Sequence, residues 1–389
     1  MRGTISMFGQ ILQAIPGKAF EKAVAAHSAD RNSKGFTCRD QFVSMLFCQL
    51  GRAGSLRDIS NGVRGCLGKI VHFGMSRAPK KSTLAYANEH RPWEVYRDTF
   101  HALLGVCRFA VPSGARKFRF KNKLVSIDST TISLCREMFD WGLFTRTKGG
   151  VKLHVSLDHD GCLPEYAYIS NAKASDVKVA ANFKFARGTI VCMDRGYNDY
   201  RLYGRWHSEG VYFVTKLKDN ALYEAVDEYF APRGTAAVFR IRLKNCDVPM
   251  NMVAYVDEKT GEAVRLVTNN LALGATTVVK IYRNRWQIEI FFRYLKSDLK
   301  IRTFVGTSEN AVRIQIWTAL IALLLIKFLQ FKSSLHWSFS GLVFMLQHNL
   351  FRHKDLWSWI NDPYEDPEPE LQSSEPFLPG FDFGQLSTS

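Results

Sequence analysis

Closely spaced cysteines are missing from this 389-residue sequence, although it contains eight cysteines. The nearest pair, Cys38 and Cys48, is ten positions apart, so no C-x-x-C half-site of the kind that binds zinc is present. This usage predicts reduced, mostly buried thiols in a cytosolic protein.

Long hydrophobic runs are also few. The first 20 residues hold no long apolar block and no clear small-residue cleavage site, which argues against a signal peptide. The longest apolar run, residues 316–326, is interrupted only by Thr318 and is far shorter than the roughly 20 residues of a membrane span. We therefore expect a buried core helix over this run, no membrane association and a cytoplasmic location.

Lysine and arginine are absent from residues 361–389, which hold seven acids and five of the twelve prolines. We predict an acidic disordered tail over this stretch. The whole chain has a net charge of +16, which leaves +23 on residues 1–360. Such an excess indicates a polyanionic partner, either nucleic acid or an acidic membrane surface. No basic amphipathic helix with an apolar face stands out, so the membrane surface is the weaker alternative.

Residues 1–118 are predicted to be a helical DNA-binding region. Within it, residues 39–50 carry apolar side chains at helical spacing, and Gly51 then breaks the chain. Ser55 can cap a second helix, with Asp58 three positions later as in a capping box. Helix, turn and helix give the outline of a helix-turn-helix, although short helix pairs are common in proteins that bind no DNA.

Residues 78–91 form a second candidate for contacting DNA. Ser82 or Thr83 is expected to cap a helix there, with Lys80 and Lys81 at its start. This signal is as weak as the first.

From residue 123 the pattern changes to strands. Three hairpin-connected strands, a short helix and a fourth strand are predicted over residues 123–134, 149–161, 163–172, 175–185 and 189–194. This succession predicts an α/β fold. Asp128 and Asp194 each follow an apolar stretch, so both are expected at strand ends, where the functional groups of such sheets lie.

A second strand-rich block, predicted at about residues 216–270, separates Asp194 from the next helix and is interpreted as an inserted β subdomain. That helix is predicted from about residue 276 to 299, and more helix is predicted from 310 to 330 and from 340 to 351. The catalytic core accordingly spans residues 119–330, and C-terminal helices occupy residues 331–360.

Four polar residues stand out on the helix that follows the block. Tyr282, Arg285, Glu289 and Lys296 are spaced by three, four and seven positions. At about 100° per residue they fall within an arc of roughly 60°, so a phenol, two cations and one acid share a stripe. The alternative is an ordinary amphipathic helix in which Arg285 and Glu289 form an i,i+4 ion pair.

Asp128, Asp194 and Glu289 together supply three hard oxygen ligands. Such a set suits Mg²⁺, or Mn²⁺ in its place, which binds few carboxylates and bridges to substrate phosphates. Two ions about 3.5–4 Å apart activate a water or a 3′-hydroxyl and stabilise the leaving oxygen of a phosphodiester. The residues thus predict metal-dependent strand cleavage without a protein nucleophile.

The spacing Y-x2-R-x3-E-x6-K resembles the YREK signature of DDE transposases of bacterial insertion sequences, in the branch called the insertion sequence four family. The resemblance runs from about residue 8 to 327, with Asp128 in IDSTTI and Asp194 in MDRGYND as the first two acids. It implies a ribonuclease-H-like core with a β-strand-rich insertion, preceded by a helical region. It also implies Mg²⁺ dependence, recognition of terminal inverted repeats, and cut-and-paste transposition by strand cleavage and strand transfer.

The resemblance also assigns residue roles. The catalytic, metal-binding residues would be Asp128, Asp194 and Glu289, while Tyr282, Arg285 and Lys296 would contact phosphates of the double-stranded DNA. A homodimer is expected in the end complex because two element ends are cut together. Two competing functions remain at this stage, a non-mobile metal-dependent nuclease and an inactive protein that only binds DNA ends.

In related transposases a flipped base stacks on an aromatic residue, often a tryptophan of the β insertion. No tryptophan lies between Trp206 and Trp286, so Tyr255 and Phe239 are the candidates for this role. His154, in an alternating strand, is expected to be a structural residue with a satisfied hydrogen bond.

Overall fold

The computed structural model describes residues 5–31, 33–65, 70–112, 114, 118–134, 149–230, 236–257 and 260–364. The helices within these ranges are α1 (Met7–Gln13), α2 (Gly17–Ala26), α3 (Cys38–Leu50), α4 (Leu56–Arg64), α5 (Lys81–His90), α6 (Glu94–Ala110), α7 (Asp176–Ala180), α8 (Tyr200–Ser208), α9 (Ala275–Asn284), α10 (Trp286–Arg293), α11 (Glu309–Lys332), α12 (Phe339–Asn349) and α13 (Leu356–Trp359). The strands are β1 (Leu124–Leu134), β2 (Gly149–Asp158), β3 (Leu163–Asn171), β4 (Ile190–Met193), β5 (Tyr212–Lys216), β6 (Tyr223–Phe230), β7 (Ala236–Leu243), β8 (Met250–Val256) and β9 (Ala263–Thr268).

In the described ranges these strands form one nine-stranded sheet in the order β3-β2-β1-β4-β5-β9-β8-β7-β6. The first three strands are antiparallel, and β4 and β5 then add in parallel beside β1 after connections that contain α7 and α8. Every residue of β4 is buried because helices cover both faces of the sheet there. This succession is the topology of a ribonuclease-H-like core.

The strand-rich block predicted at residues 216–270 is present as β6 to β9, and its strands continue the central sheet. Strand β9 pairs antiparallel with β5, with Val214 opposite Thr268. Strands β8, β7 and β6 continue from β9, each antiparallel to the one before it. The predicted block therefore lengthens the central sheet.

Helix α11 lies in the core, as the apolar run at residues 316–326 predicts. It contacts α3, α5 and α6, and the residues from Ile316 to Ile326 are nearly all fully buried. In the described part of the chain it is the one helix that is long and apolar enough to span a membrane, and 83% of its most apolar window is buried inside the protein.

The N-terminal helices begin partly where the sequence predicts. The side chain of Ser55 accepts the amide of Asp58 and caps α4 as expected, while the carboxylate of Asp58 accepts the amide of Gly54. The cap predicted for α5 is wrong: Lys80 is the N-cap residue, and no side chain caps this helix. Its first helical residue is already Lys81, so Ser82 and Thr83 lie inside the first turn.

Two further predictions can be compared with the structure. The six cysteines in the described ranges are free thiols, five of them buried and Cys162 half-buried.

The tail was predicted to begin at residue 361, yet the side-chain oxygen of Asn361 accepts a hydrogen bond of 2.7 Å from the amide of Ser334. Asn361 is therefore part of the folded region, and residues 365–389 of the predicted tail lie outside the described residues.

Candidate active site

Asp128 and Asp194 lie side by side on neighbouring parallel strands. Where β1 pairs with β4, the last paired residues are Ser126 of β1 and Cys192 of β4. Asp128 and Asp194 each come two positions after these residues. Because side chains alternate along a strand, Asp128 shares a face with Ser126, and Asp194 shares the same face with Cys192. This is the face that α9 covers, since Cys192 belongs to a hydrophobic cluster with α9.

The strand predicted over residues 123–134 is present as β1, but Asp128 lies within it and not at its end. Strand β1 runs on to Leu134 and stays paired with β2, where Asp128 is opposite Val155. The strand continues because Ile132 and Leu134 still bury their side chains after the polar Ser-Thr-Thr stretch. Asp194 does follow the last residue of β4, and its carboxylate accepts the amide of Gly196 at 2.8 Å.

Glu289 lies in the first turn of α10 and is held by Arg285. The Nη2 of Arg285 donates to Glu289 Oε1 at 2.7 Å, and its Nη1 lies 3.8 Å from Asp128 Oδ2. The same guanidinium lies over the ring of Tyr282, 5.7 Å from its centre. One arginine thus connects the helix acid, the first strand acid and the phenol.

The helix that carries these residues is not continuous, contrary to the prediction for residues 276–299. Helix α9 ends at Asn284, α10 begins at Trp286, and a π-helical turn, Tyr294–Asp298, follows α10. At the junction the amide of Arg285 donates to the carbonyl oxygens of both Ile281 and Tyr282. The second bond spans three residues, as in a 3₁₀-helix, and accompanies the usual α-helical bond that spans four. The polar stripe survives because the backbone of Arg285 stays in the right-handed helical region.

His159 connects this junction to β1, and sequence reasoning gave it no role. Ser126 Oγ lies 2.7 Å from His159 Nε2, and Asn284 Nδ2 donates to His159 Nδ1 at 2.7 Å. With the Asn284 amide as donor, His159 carries its proton on Nε2 and donates it to Ser126. The bridge fixes the end of α9 directly before Arg285.

Burial raises the pKa of Asp128 to about 6. The amide of Ser129 opposes this shift, and the neighbouring charges of Asp194 and Glu289 reinforce it, while Arg285 lowers the pKa again. Asp194 and Glu289 are therefore both close enough to Asp128 to repel it, and Arg285 offsets part of that repulsion. For Arg285 itself, burial acts to lower the pKa, but the hydrogen bond that it donates to Glu289 and nearby negative charge raise it overall.

Lys296 lines a cavity together with two of the three acids, Asp128 and Glu289. The cavity has a volume of about 330 Å³ and is lined by Asp128, Ser129, Thr130, Glu289, Phe292, Arg293, Lys296, Ser297 and Arg302. Lys296 Nζ donates to the carbonyl oxygen of Thr131 at 3.1 Å. Burial, followed by the charge of Arg302, lowers its pKa. Two acids and three cations thus meet at one opening in the surface.

The carboxylates suit a divalent metal, but Arg285 now stands between two of them. In the described ranges no three His, Cys, Asp or Glu side chains surround one point closely enough to hold an ion as they stand. Carboxylate oxygens are nevertheless the donors that a hard divalent cation prefers, and the charges of Asp194 and Glu289 both act on Asp128.

The predicted stacking residues differ in their surroundings. Tyr255 is 9% exposed, lies under the guanidinium of Arg283 and lines a cavity beside Tyr282, while Phe239 packs against the core. Trp286, which sequence reasoning passed over, is 55% exposed and lines a cavity of about 270 Å³ with Tyr282 and Arg285. His154 is buried, and its Nε2 lies 2.8 Å from Ser170 Oγ. Its Nδ1 lies 3.4 Å from Asp176 Oδ1 and has no hydrogen-bond partner among the described residues, so the predicted satisfaction holds for one ring nitrogen.

The family model described as "Transposase DDE domain" matches residues 119–325, a stretch that contains all three acids. The chain belongs to the DDE transposases. It is a DNA transposase with a ribonuclease-H-like fold, an enzyme that cleaves and joins DNA strands and depends on a divalent metal. A second model, described as "Domain of unknown function (DUF4372)", matches residues 4–76.

Three curated relatives are similar over much of this transposase. A putative transposase of Sinorhizobium fredii is 30% identical over 263 residues, which cover 64% of this chain and 71% of the relative. A probable insertion-sequence transposase of Geobacillus stearothermophilus is 26% identical, covering 77% of this chain and 78% of the relative. A putative insertion-sequence transposase of Synechocystis is 27% identical, covering 53% and 60%.

Among solved structures, the chain is similar to a piggyBac transposase in a synaptic complex with hairpin DNA. The TM-score is 0.44 at 11% sequence identity, and the match covers 93% of this chain and 80% of that chain.

Proposed function

We propose that this transposase recognises the terminal inverted repeats of its own element and moves it by cut-and-paste transposition, with Mg²⁺ held by Asp128, Asp194 and Glu289. The observation that supports this assignment is the arrangement of the two aspartates. They come two positions after the last pair of two parallel strands, on the face that α9 covers. Glu289 reaches the same place from α10 through Arg285, which contacts both Glu289 and Asp128.

The three carboxylates would hold two Mg²⁺ ions, or Mn²⁺ in their place. When bound, the ions activate the attacking hydroxyl and stabilise the leaving oxygen of the phosphodiester. The protein supplies the fixed positions of the donors: β1 and β4 set the separation of Asp128 and Asp194, and the His159 bridge fixes the start of the segment that carries Glu289. No side chain of the protein needs to act as a nucleophile.

Tyr282, Arg285 and Lys296 would contact phosphates beside the cleaved bond. A phosphate offers Arg285 the bidentate acceptor that Glu289 and Asp128 now provide separately. The guanidinium can therefore exchange a carboxylate for the DNA backbone and release both acids for metal binding. Lys296, from the edge of the same cavity, then holds a neighbouring phosphate as a point charge.

Trp286 is the better candidate for stacking on a base that is flipped out of the DNA double helix. Its ring is half exposed beside Arg285, whereas Tyr255 is buried and covered by Arg283. Base stacking needs an accessible aromatic face, so we assign the role to Trp286 in place of Tyr255 or Phe239.

The partners follow from the same reaction. Double-stranded DNA serves as both element end and target, and the net charge of +23 on residues 1–360 suits its backbone. We propose a homodimer in the end complex, because two ends must be cut together. The place of action would be the bacterial cytoplasm, at the nucleoid.

The experiment uses a donor plasmid that carries the gene with its flanking DNA, a target plasmid, purified protein and Mg²⁺. We expect an excised fragment and a product in which both its ends are joined to the target. Cleavage without joining would identify a nuclease, and binding without cleavage would identify an inactive end-binding protein. Either result would contradict the proposed function.

A further inference from the structure

Helices α3 and α4 both belong to the segment matched by the domain of unknown function, residues 4–76, but they differ in what they expose. Residues 40–50 of α3 are all buried, including the polar Gln41, Ser44 and Gln49. Helix α3 therefore has no surface beyond its first turn with which to contact another molecule.

Helix α4 has one buried face and one open face. Leu56, Ile59 and Val63 are buried on the inner side. Gly62 approaches the ring of Phe47 so closely that a Cβ atom there would lie 2.5 Å from it. A larger residue at this position would displace the Phe47 ring, so the glycine allows α4 to pack closely on α3.

The open face of α4 presents Arg57, Asn61 and Arg64, spaced as i, i+4 and i+7 on one stripe. All three are exposed, and none has a side-chain hydrogen bond or ion pair in the part of the chain that the structure describes. The one acid beside them, Asp58, is engaged with the amide of Gly54 in the preceding turn. The stripe thus offers two exposed guanidinium groups and one exposed carboxamide.

The turn before α4 is attached to the active-site region. Arg52, which has a positive φ of 53°, donates from Nη2 to the carbonyl oxygen of Ser297 at 3.1 Å. Gln49 Oε1 accepts the amide of Lys300 at 2.8 Å. Ser297 lines the cavity that contains Asp128 and Glu289, so the turn before α4 contacts a residue of that cavity.

We propose that α4 is the recognition helix of this transposase and that Arg57, Asn61 and Arg64 contact base edges in the major groove of the element-end duplex. This inference rests on the proposed function, because it names the helix that selects the DNA. An α-helix fits the major groove, where arginine pairs with guanine and asparagine with adenine through two hydrogen bonds each. The charge of the stripe suits DNA, and its carboxamide adds the capacity to distinguish bases.

The experiment selects duplexes from a randomised DNA library with the full-length protein in EDTA. The wild type is expected to enrich a base motif. Arg57→Ala, Asn61→Ala and Arg64→Ala are each expected to lose the preference at part of that motif, with about ten-fold weaker binding to the selected duplex relative to a scrambled one. Arg57→Lys should keep the binding to scrambled DNA and still lose the base preference, because lysine cannot make the paired contact.

The matched control is Arg201→Ala, which removes an exposed arginine from α8, a helix packed on the other face of the sheet. It should select the wild-type motif, and all variants should keep the wild-type melting temperature. The same motif from the α4 variants, or no motif from the wild type, would overturn the inference. Failure of the proposed function is seen separately, as absence of cleavage and joining of the donor plasmid by the wild type in Mg²⁺.

Discussion

Arg285 donates a hydrogen bond of 2.7 Å to Glu289, the acid that we assign to the metal site. Its other terminal nitrogen lies 3.8 Å from Asp128. A guanidinium in this position offsets part of the negative charge of the acids. The acid cluster nevertheless keeps a net negative charge, because a single cation faces more than one carboxylate.

The first prediction concerns Arg285→Gln. Removal of the guanidinium leaves the acids without their internal cation, so Mn²⁺ should bind the DNA-free protein at least about five-fold more tightly by titration calorimetry. Cleavage should nevertheless fall by at least about ten-fold, because the phosphate loses its bidentate partner. Unchanged metal affinity together with unchanged cleavage would mean that the Arg285–Glu289 contact is a surface ion pair.

The second prediction concerns pH and Asp128. Since its pKa of about 6 lies above the ordinary value of 3.8, the native state holds this proton more tightly than the unfolded chain does. This group therefore lowers the free energy of unfolding as pH rises from about 4 to 6, and the loss persists above pH 6. Asp128→Asn cannot lose the proton, so in EDTA it should be about 1–3 kcal/mol more stable than the wild type at pH 7.5.

The measurement is thermal unfolding of both proteins at pH 4.5 and pH 7.5. The gap between them should be small at the lower pH and large at the higher one. Buried His154, whose pKa is lowered to about 4 by burial, titrates in the same range, but it contributes equally to both proteins and cancels in the difference. A gap that is independent of pH would contradict the burial of an ionised Asp128.

The third prediction concerns Lys296→Ala, which should reduce cleavage by about ten-fold or more while the protein stays folded. Lys296 lies on the cavity beside Asp128 and Glu289, so its loss removes a phosphate contact near the reacting bond. Lys280→Ala is the control, because Lys280 is an exposed lysine of α9 that does not line this cavity. Equal cleavage activity of the two variants would mean that Lys296 makes no phosphate contact near the reacting bond and only adds to the surface charge.

The fourth prediction concerns the His159 bridge. Asn284→Leu removes the donor to His159 Nδ1 and should lower cleavage by about ten-fold, because the segment from Arg285 to Glu289 loses its anchor to β1. Asn284→Asp should retain more activity, since a carboxylate accepts a proton from Nδ1 and restores the bridge with a charged imidazole. A loss of the same size in both variants, measured in the same cleavage assay, would count against this role.

The sequence was most informative where local chemistry decides structure. The cap at Ser55 and the apolar α11 were predictable because capping and burial depend on a few nearby side chains. The spacing from Tyr282 to Lys296 located the polar stripe because helical geometry alone brings those positions together.

Other features depend on residues far apart in the chain and could not be read in this way. Asp128 was expected at a strand end, but pairing with β2 places it in the middle of β1, opposite Val155. The bridge from Ser126 through His159 to Asn284 joins three separate segments, and no spacing in the sequence indicates it. The helix break at Arg285 has no proline or glycine to mark it.

The Glu289→Gln variant gives the most direct test of the three-carboxylate site. Glutamine keeps the size of the side chain and its hydrogen bond to Arg285 but removes a negative oxygen ligand. Its matched control is Glu309→Gln in α11, where Glu309 forms an i,i+4 pair with Arg313 at 2.5 Å outside the site. An ion pair of this kind contributes only about 0.2–0.5 kcal/mol, so its loss should leave cleavage intact.

The decisive measurement is cleavage of labelled element ends in Mg²⁺ by purified Glu289→Gln, Glu309→Gln and wild-type protein, followed on a gel together with binding of the same ends. We predict that Glu289→Gln binds the ends normally but cleaves several orders of magnitude more slowly, while Glu309→Gln cleaves like the wild type. Asp128→Asn and Asp194→Asn should match Glu289→Gln, and double variants should be little worse, because groups that act as one unit are not additive. Cleavage by Glu289→Gln at the rate of Glu309→Gln would contradict the metal site proposed here.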